Sequence, residues 1–164
     1  MQFLKQVGIL SGLSEEELEH VFEISHRVEV DAGTVIMREG EPGDSMFFFA
    51  EGEVNVSKTL TMKVGAKGFS SAEKSFVTLK SDKVSFFGDM AMFETEPRSA
   101  SITAGTDCVL YEIRREDFTN LCDQYPVLGV RILRQMAVTL CQRIRRGNED
   151  VLKLSTALSI ALTK

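Results

Sequence analysis

Phe86-Phe87-Gly88-Asp89-Met90-Ala91-Met92-Phe93-Glu94-Thr95-Glu96-Pro97-Arg98-Ser99-Ala100-Ser101 decides how this 164-residue chain is read. Gly88 opens a short apolar helical turn, whose first backbone N–H groups have no intrahelical acceptor. Ten residues later stands Arg98, followed by the small residues Ser99 and Ala100. Backbone donors at a helix start favour an anion. A guanidinium adds a permanent charge and a planar fork that matches two phosphate oxygens. Asp89 suits a separate task, accepting hydrogen bonds from sugar hydroxyls. A small residue after the arginine lets the backbone approach a ligand. Taken without its surroundings, Arg98 reads as a structural arginine paired with Asp89 or Glu94; inside this stretch it reads as a phosphate anchor.

Upstream of this stretch the texture is that of short strands. Val28 and Val30 alternate with polar neighbours, and Asp31-Ala32-Gly33 turns the chain. Thr34 to Met37 is rich in β-branched residues, and Glu41-Pro42-Gly43-Asp44 is a strong turn signal. Met46 to Ala50 is an apolar run, and Glu51-Gly52-Glu53 turns into Val54 to Ser57. Further strands are expected at Phe76–Leu79, Ala100–Ala104 and Val109–Ile113. Many short strands with close turns indicate a sandwich, barrel or jelly roll. Lys58 to Ser75 is rich in lysine, serine and glycine and long for a hairpin connection. It reads as a mobile surface loop, open to proteases, with room to extend the strands at its base.

Helical periods flank the strands. Ser14 precedes Glu15-Glu16-Glu17 at capping-box spacing, and Leu18, Val21 and Phe22 follow. Asp117, Phe118, Leu121 and Cys122 make a short helix ending near Tyr125-Pro126. A long helix starts with Pro126 in its first turn. Val130, Leu133, Ala137, Leu140 and Ile144 recur in steps of 3 and 4. Past Gly147 the series resumes with Val151, Leu154, Leu158 and Ala161, a heptad seam with one break. A second stripe, Leu128, Ile132 and Met136, points elsewhere. Two stripes on one helix imply two packing partners, the chain's own β core and a second copy.

Composition bounds the rest. Apolar residues make up 43% and charged residues 26%, ordinary for a globular domain. No window suits a membrane span, and Met1 to Lys5 does not begin a secretory signal. Cys108, Cys122 and Cys141 lack CxxC spacing and read as buried, reduced thiols in the cytoplasm. Residues 1–53 carry 12 acidic and 3 basic side chains; residues 54–164 carry 12 and 16. Seven arginines fall between Arg114 and Arg146 and read as a solvated helix face rather than a nucleic-acid footprint. His20 and His26 lack metal-ligand spacing, so no metal site is expected. No Gly-x-Ser-x-Gly, Walker loop or dinucleotide fingerprint occurs, so an enzyme on a β-barrel scaffold is disfavoured.

The Phe87–Ala100 stretch resembles the phosphate-binding cassette of the cyclic nucleotide-binding domain family. That family includes catabolite activator proteins and the regulatory subunits of cyclic-AMP-dependent kinase. Its pattern runs from a phenylalanine or similar residue and Gly-Glu to Pro-Arg-Ser/Thr/Ala-Ala. Here it reads Phe87-Gly88-Asp89-Met90-Ala91 and Pro97-Arg98-Ser99-Ala100. Gly40 to Asp44 is similar to the family's glycine-rich turn, and Phe48 to Val56 to its next hairpin. The resemblance spans about Leu10 to Arg145, that of a stand-alone bacterial-type domain.

This resemblance implies a mainly β chain: a β roll with an N-terminal helix and a long C-terminal helix. Residues 1–126 would form the roll with its N-terminal and short following helices. Residues 127–164 would form the helical segment, lid and homodimer contact, with no separate effector domain. The ligand would be cyclic AMP or cyclic GMP, its phosphate on Arg98, Ser99 and the amides near Met90 and Ala91, with Phe87, Gly88, Asp89 and Ala100 completing the site. The base would lie under the long helix. A regulatory module, not an enzyme, is implied, its output passing to a protein effector or through the dimer. Asp89 replaces the family's ribose-binding glutamate, one methylene shorter. Either a water or backbone shift closes the gap, or the contact is absent and the domain serves as a dimerisation or docking module.

Overall fold

The computed structural model describes residues 2–64, 68–80 and 86–162. Eight strands are β1 (His26–Val30), β2 (Val35–Met37), β3 (Ser45–Glu51), β4 (Glu53–Val64), β5 (Gly68–Lys80), β6 (Phe86–Phe87), β7 (Ser101–Ala104) and β8 (Cys108–Arg114). Three α-helices are α1 (Glu15–Glu23), α2 (Arg115–Gln124) and α3 (Pro126–Leu162). The strands form two four-stranded antiparallel sheets, ordered β1-β8-β3-β6 and β2-β7-β4-β5. This is the expected β roll with helices at both ends.

The roll follows from which faces each strand buries. β3 is apolar through its centre because both of its faces are covered. Phe47 and Phe49 point into the roll with Val54, Phe87, Ile102 and Leu110. Met46 and Phe48 point to the other side, where Leu4, Leu18, Phe118, Leu128, Ile132 and Met136 pack. β3 is therefore shared between two cores, one inside the roll and one beneath the helices.

The helix signals are realised in detail. The Glu17 amide donates to Ser14 Oγ at 3.2 Å, and the Ser14 amide donates to Glu17 Oε2 at 2.8 Å. The stripe Leu128, Ile132 and Met136 is buried in the helical core. On the other side of α3, Val130 and Ile144 are more than half exposed. α3 continues through Gly147, so the break in the seam leaves the helix intact.

Two expectations are corrected. Lys58 to Ser75 is not an open loop along its described length: β4 and β5 pair from Glu53↔Lys80 out to Val64↔Gly68. Val56, Thr59, Thr61 and Val64 bring β-branched residues into β4, and these favour a ladder over a loop despite the lysines and serines. The tip at 65–67 lies outside the described residues, as does the packing of side chains 60–77. The thiols also differ from the expectation: all three are free, but Cys122 is only partly buried and Cys141 is exposed on α3.

Candidate functional site

Gly88 lies in the left-handed region, φ 76°, at the end of β6, and starts a single 3-10 turn, Asp89–Met92. A Cβ there would stand 3.0 Å from Arg98 Nη1 and 3.2 Å from the Ser45 carbonyl oxygen, so both conformation and space require glycine. The Ala91 amide donates to the Gly88 carbonyl at 3.2 Å and is thereby engaged in the turn. Phe87 and Asp89 are buried, Met90 is exposed, and Ala91 closes the turn from inside.

Arg98 is set by segments distant in sequence. Its amide donates to the Glu41 carbonyl at 2.8 Å, and its carbonyl accepts from the Gly40 amide at 2.9 Å. The glycine-rich turn before β3 thus clips the Arg98 backbone from both sides. The guanidinium reaches inward. Nη1 donates to the carbonyls of Ser45 at 2.7 Å and Gly88 at 3.3 Å, and Nη2 donates to Ser45 Oγ at 3.2 Å. Its stem lies against Gly43, where a Cβ would fall 2.1 Å from Nε. Ser99 is exposed, its hydroxyl donating to Met90 Sδ at 3.5 Å, and Ala100 is partly buried beside it.

The electrostatics follow from this packing. Arg98 is partly buried, and burial lowers its pKa from the ordinary arginine value. The carboxylates of Asp44 and Glu112 work against that lowering, and Arg115 adds to it. Among the described residues no carboxylate forms an ion pair with Arg98. Of its five N–H donors, Nε–H and one Nη2–H have no partner among those residues. The group is a partly desolvated cation held by two carbonyls and the Ser45 hydroxyl.

Asp89 does not meet Arg98. It is 4% exposed, and its two carboxylate oxygens accept from Arg143 Nη1 at 2.8 and 3.0 Å. Arg143 Nη2 also donates to the Phe86 carbonyl at 3.1 Å, and its Cζ lies 4.7 Å from the Phe86 ring centroid. Arg143 thus adds a polar tie between α3 and the cassette, beside the apolar packing of Met136 in the core that holds Phe86 and Ala91. The alternatives of an Arg98–Asp89 or Arg98–Glu94 pair are not what the structure shows.

Sequence reasoning missed three contributors. Ser45 receives the Arg98 guanidinium but looks like an ordinary strand residue. Arg115 donates to the carbonyls of Ala91, Gly43 and Glu94, stapling α2 to both motifs; nothing local marks it. Arg143 did leave a trace: it lies seven residues beyond Met136 and continues the inward stripe of α3.

Comparisons with known proteins agree with this geometry. Residues 27–125 match the family model described as "Cyclic nucleotide-binding domain". The chain is 32% identical over 137 residues to a cyclic nucleotide-gated potassium channel of Mesorhizobium japonicum, covering 84% of this chain and 34% of that protein. It is 29% identical over 119 residues to the cAMP-dependent protein kinase regulatory subunit of Aspergillus niger, covering 73% and 26%. The chain thus spans about a third or less of these relatives. A cyclic nucleotide-binding domain from Methylobacillus flagellatus superposes with TM-score 0.75 at 25% identity, covering 92% of this chain and 81% of that one. The Thermus thermophilus catabolite activator protein gives 0.72 at 25% identity, covering 90% and 63%.

Proposed function

Because the chain belongs to the cyclic nucleotide-binding domain family, we propose that it is a regulatory sensor of cyclic AMP or cyclic GMP with Arg98 as the phosphate anchor. The observation that carries this reading is the Arg98 guanidinium. It is partly desolvated and braced by Ser45 and Gly88, without an ion-pair partner among the described residues. A cyclic phosphate carries one negative charge on two exocyclic oxygens, which suits a planar fork. Phe87, Gly88, Met90, Ala91, Ser99 and Ala100 border the anion, with Asp89 at the edge under α3. The signal leaves through α3, whose outer face joins a second copy or a protein effector. The module works in the cytoplasm without catalysing a reaction.

Calorimetry with each nucleotide tests the reading. Arg98→Ala removes a charge-assisted contact of about 1.5–3 kcal/mol, so affinity falls tenfold or more, by about one decade per 1.4 kcal/mol. Arg98→Lys keeps the charge without the fork and falls by less. Absence of binding by the wild-type protein at millimolar cyclic AMP and cyclic GMP overturns the sensor reading and leaves a docking module.

A further inference from the structure

We propose that Glu39 is a positioning residue for Arg98: its carboxylate takes the rung of the sheet that the Arg98 segment leaves empty, and so keeps that segment off the sheet. The effect on ligand binding rests on the sensor reading above; the positioning itself rests on contacts outside the cassette.

Sheet order carries the argument. β7 lies between β2 and β4. β4 and β7 pair from Val54↔Ala104 to Ser57↔Ser101, the residue at which β7 begins. Carried two residues further, the same register would set Thr59 against Ser99. The chain from Arg98 to Ala100 instead turns away, while β4 runs on to Val64 with β5 on its other side. A strand amide on such a vacated side is a bare donor. Here the Thr59 amide donates to Glu39 Oε2 at 2.7 Å. Glu39 lies just beyond β2, across β7 from β4, so its side chain spans the track along which β7 would have continued. That track is open only because the Arg98 segment has left it.

The backbone around Glu39 holds the departing segment. The Glu39 amide donates to Ser101 Oγ at 3.0 Å. The Gly40 amide donates to the Arg98 carbonyl, and the Glu41 carbonyl accepts from the Arg98 amide. Residues 39–41 thus clip the segment, and the Glu39 carboxylate closes the way back. Lys58 Nζ stands 3.8 Å from Glu39 Oε1 with its own side chain half exposed, a pair that contributes little. The bond to the Thr59 amide is the contact that matters. Without it, the register offers that amide the Ser99 carbonyl as its replacement acceptor. β7 would then lengthen by two residues, and Arg98, the next along, would be drawn off the carbonyls of Ser45 and Gly88.

Three variants test this. Glu39→Gln keeps an acceptor oxygen at full reach, Glu39→Asp keeps the charge one methylene short, and Glu39→Ala keeps neither. In NMR of the protein without ligand, the Arg98 guanidinium N–H signals shift to those of a solvent-exposed arginine in Glu39→Ala and Glu39→Asp, and stay in place in Glu39→Gln. In calorimetry with cyclic AMP and cyclic GMP, affinity falls about tenfold in the first two and stays within about threefold in the third. A residue that only supported the fold would lower the melting temperature of Glu39→Ala and leave the guanidinium signals and the affinity as they are. That result, or Glu39→Gln as damaging as Glu39→Asp, overturns the inference while the sensor reading stands. Should Glu39→Ala fail to fold, the contrast between the other two variants decides. If the wild-type protein binds neither nucleotide, the sensor reading fails, and the guanidinium signals alone decide the positioning role.

Discussion

Gly43 shows how much of the proposed anion site is made by an atom that is missing. Its φ lies outside the left-handed region, so an alanine there meets no backbone strain. A Cβ would nevertheless stand 2.1 Å from Nε, 2.5 Å from Cζ and 2.7 Å from Cδ of Arg98. All three atoms belong to a side chain that can swing away, so the fold relaxes while the guanidinium leaves its carbonyl acceptors. Gly43→Ala is therefore expected to change the melting temperature little. The loss in cyclic nucleotide affinity should approach that of Arg98→Ala, about tenfold. Thermal unfolding and calorimetry on the same variant separate the two effects. A large drop in melting temperature with affinity retained would show that Gly43 supports the fold and not the arginine.

Among the elements, α3 divides into an inward stripe and an outward seam. Met136 is fully buried in the helical core, and Met136→Ala should cost about 2–5 kcal/mol in chemical denaturation. A loss near zero would mean that α3 is not packed on the body. Both stripes were legible because helical period is a local signal. So were the capping box at Ser14 and most strand positions, since turn residues punctuate them. Strand β6 was not: two residues carry no period, and pairing with Phe47 and Phe48 alone defines it. The N-terminal 3-10 segments, Gln2–Gln6 and Gly8–Leu10, were also passed over. Their signal is an apolar spacing of three, with Leu4, Val7 and Leu10 all buried. Within the site, Gly88, Asp89 and Arg98 were legible as a motif. The partners of Asp89 and Arg98 were not, because Arg143 and Ser45 come from 54 and 53 residues away. Only the closed roll places them.

At the scale of the whole molecule, the outward seam is the face on which assembly is expected. α3 is about 55 Å long at 1.5 Å per residue, and its exposed apolar residues include Val130, Ile144, Val151, Leu154 and Leu158. Such a row facing water on an otherwise charged helix is the surface a second copy would cover. We expect a homodimer through this face. Leu133→Glu together with Leu140→Glu should give a folded monomer in light scattering, because each interface would have to bury unpaired charges. A wild-type protein already monomeric at micromolar concentration would remove the dimer.

The staple made by Arg115 bears on the time at which such a site comes into being. Its fork gathers carbonyls from Gly43, Ala91 and Glu94, the first of them 72 residues upstream. Arg98 likewise needs contact with Ser45, 53 residues away along the chain. Contacts of that span form only after long loops have closed, and long loops close late. A chain emerging from the ribosome therefore holds its cassette motif for some time before it holds a cassette. The proposed anion grip would therefore arrive together with the closure of the roll, and a half-folded molecule would lack it.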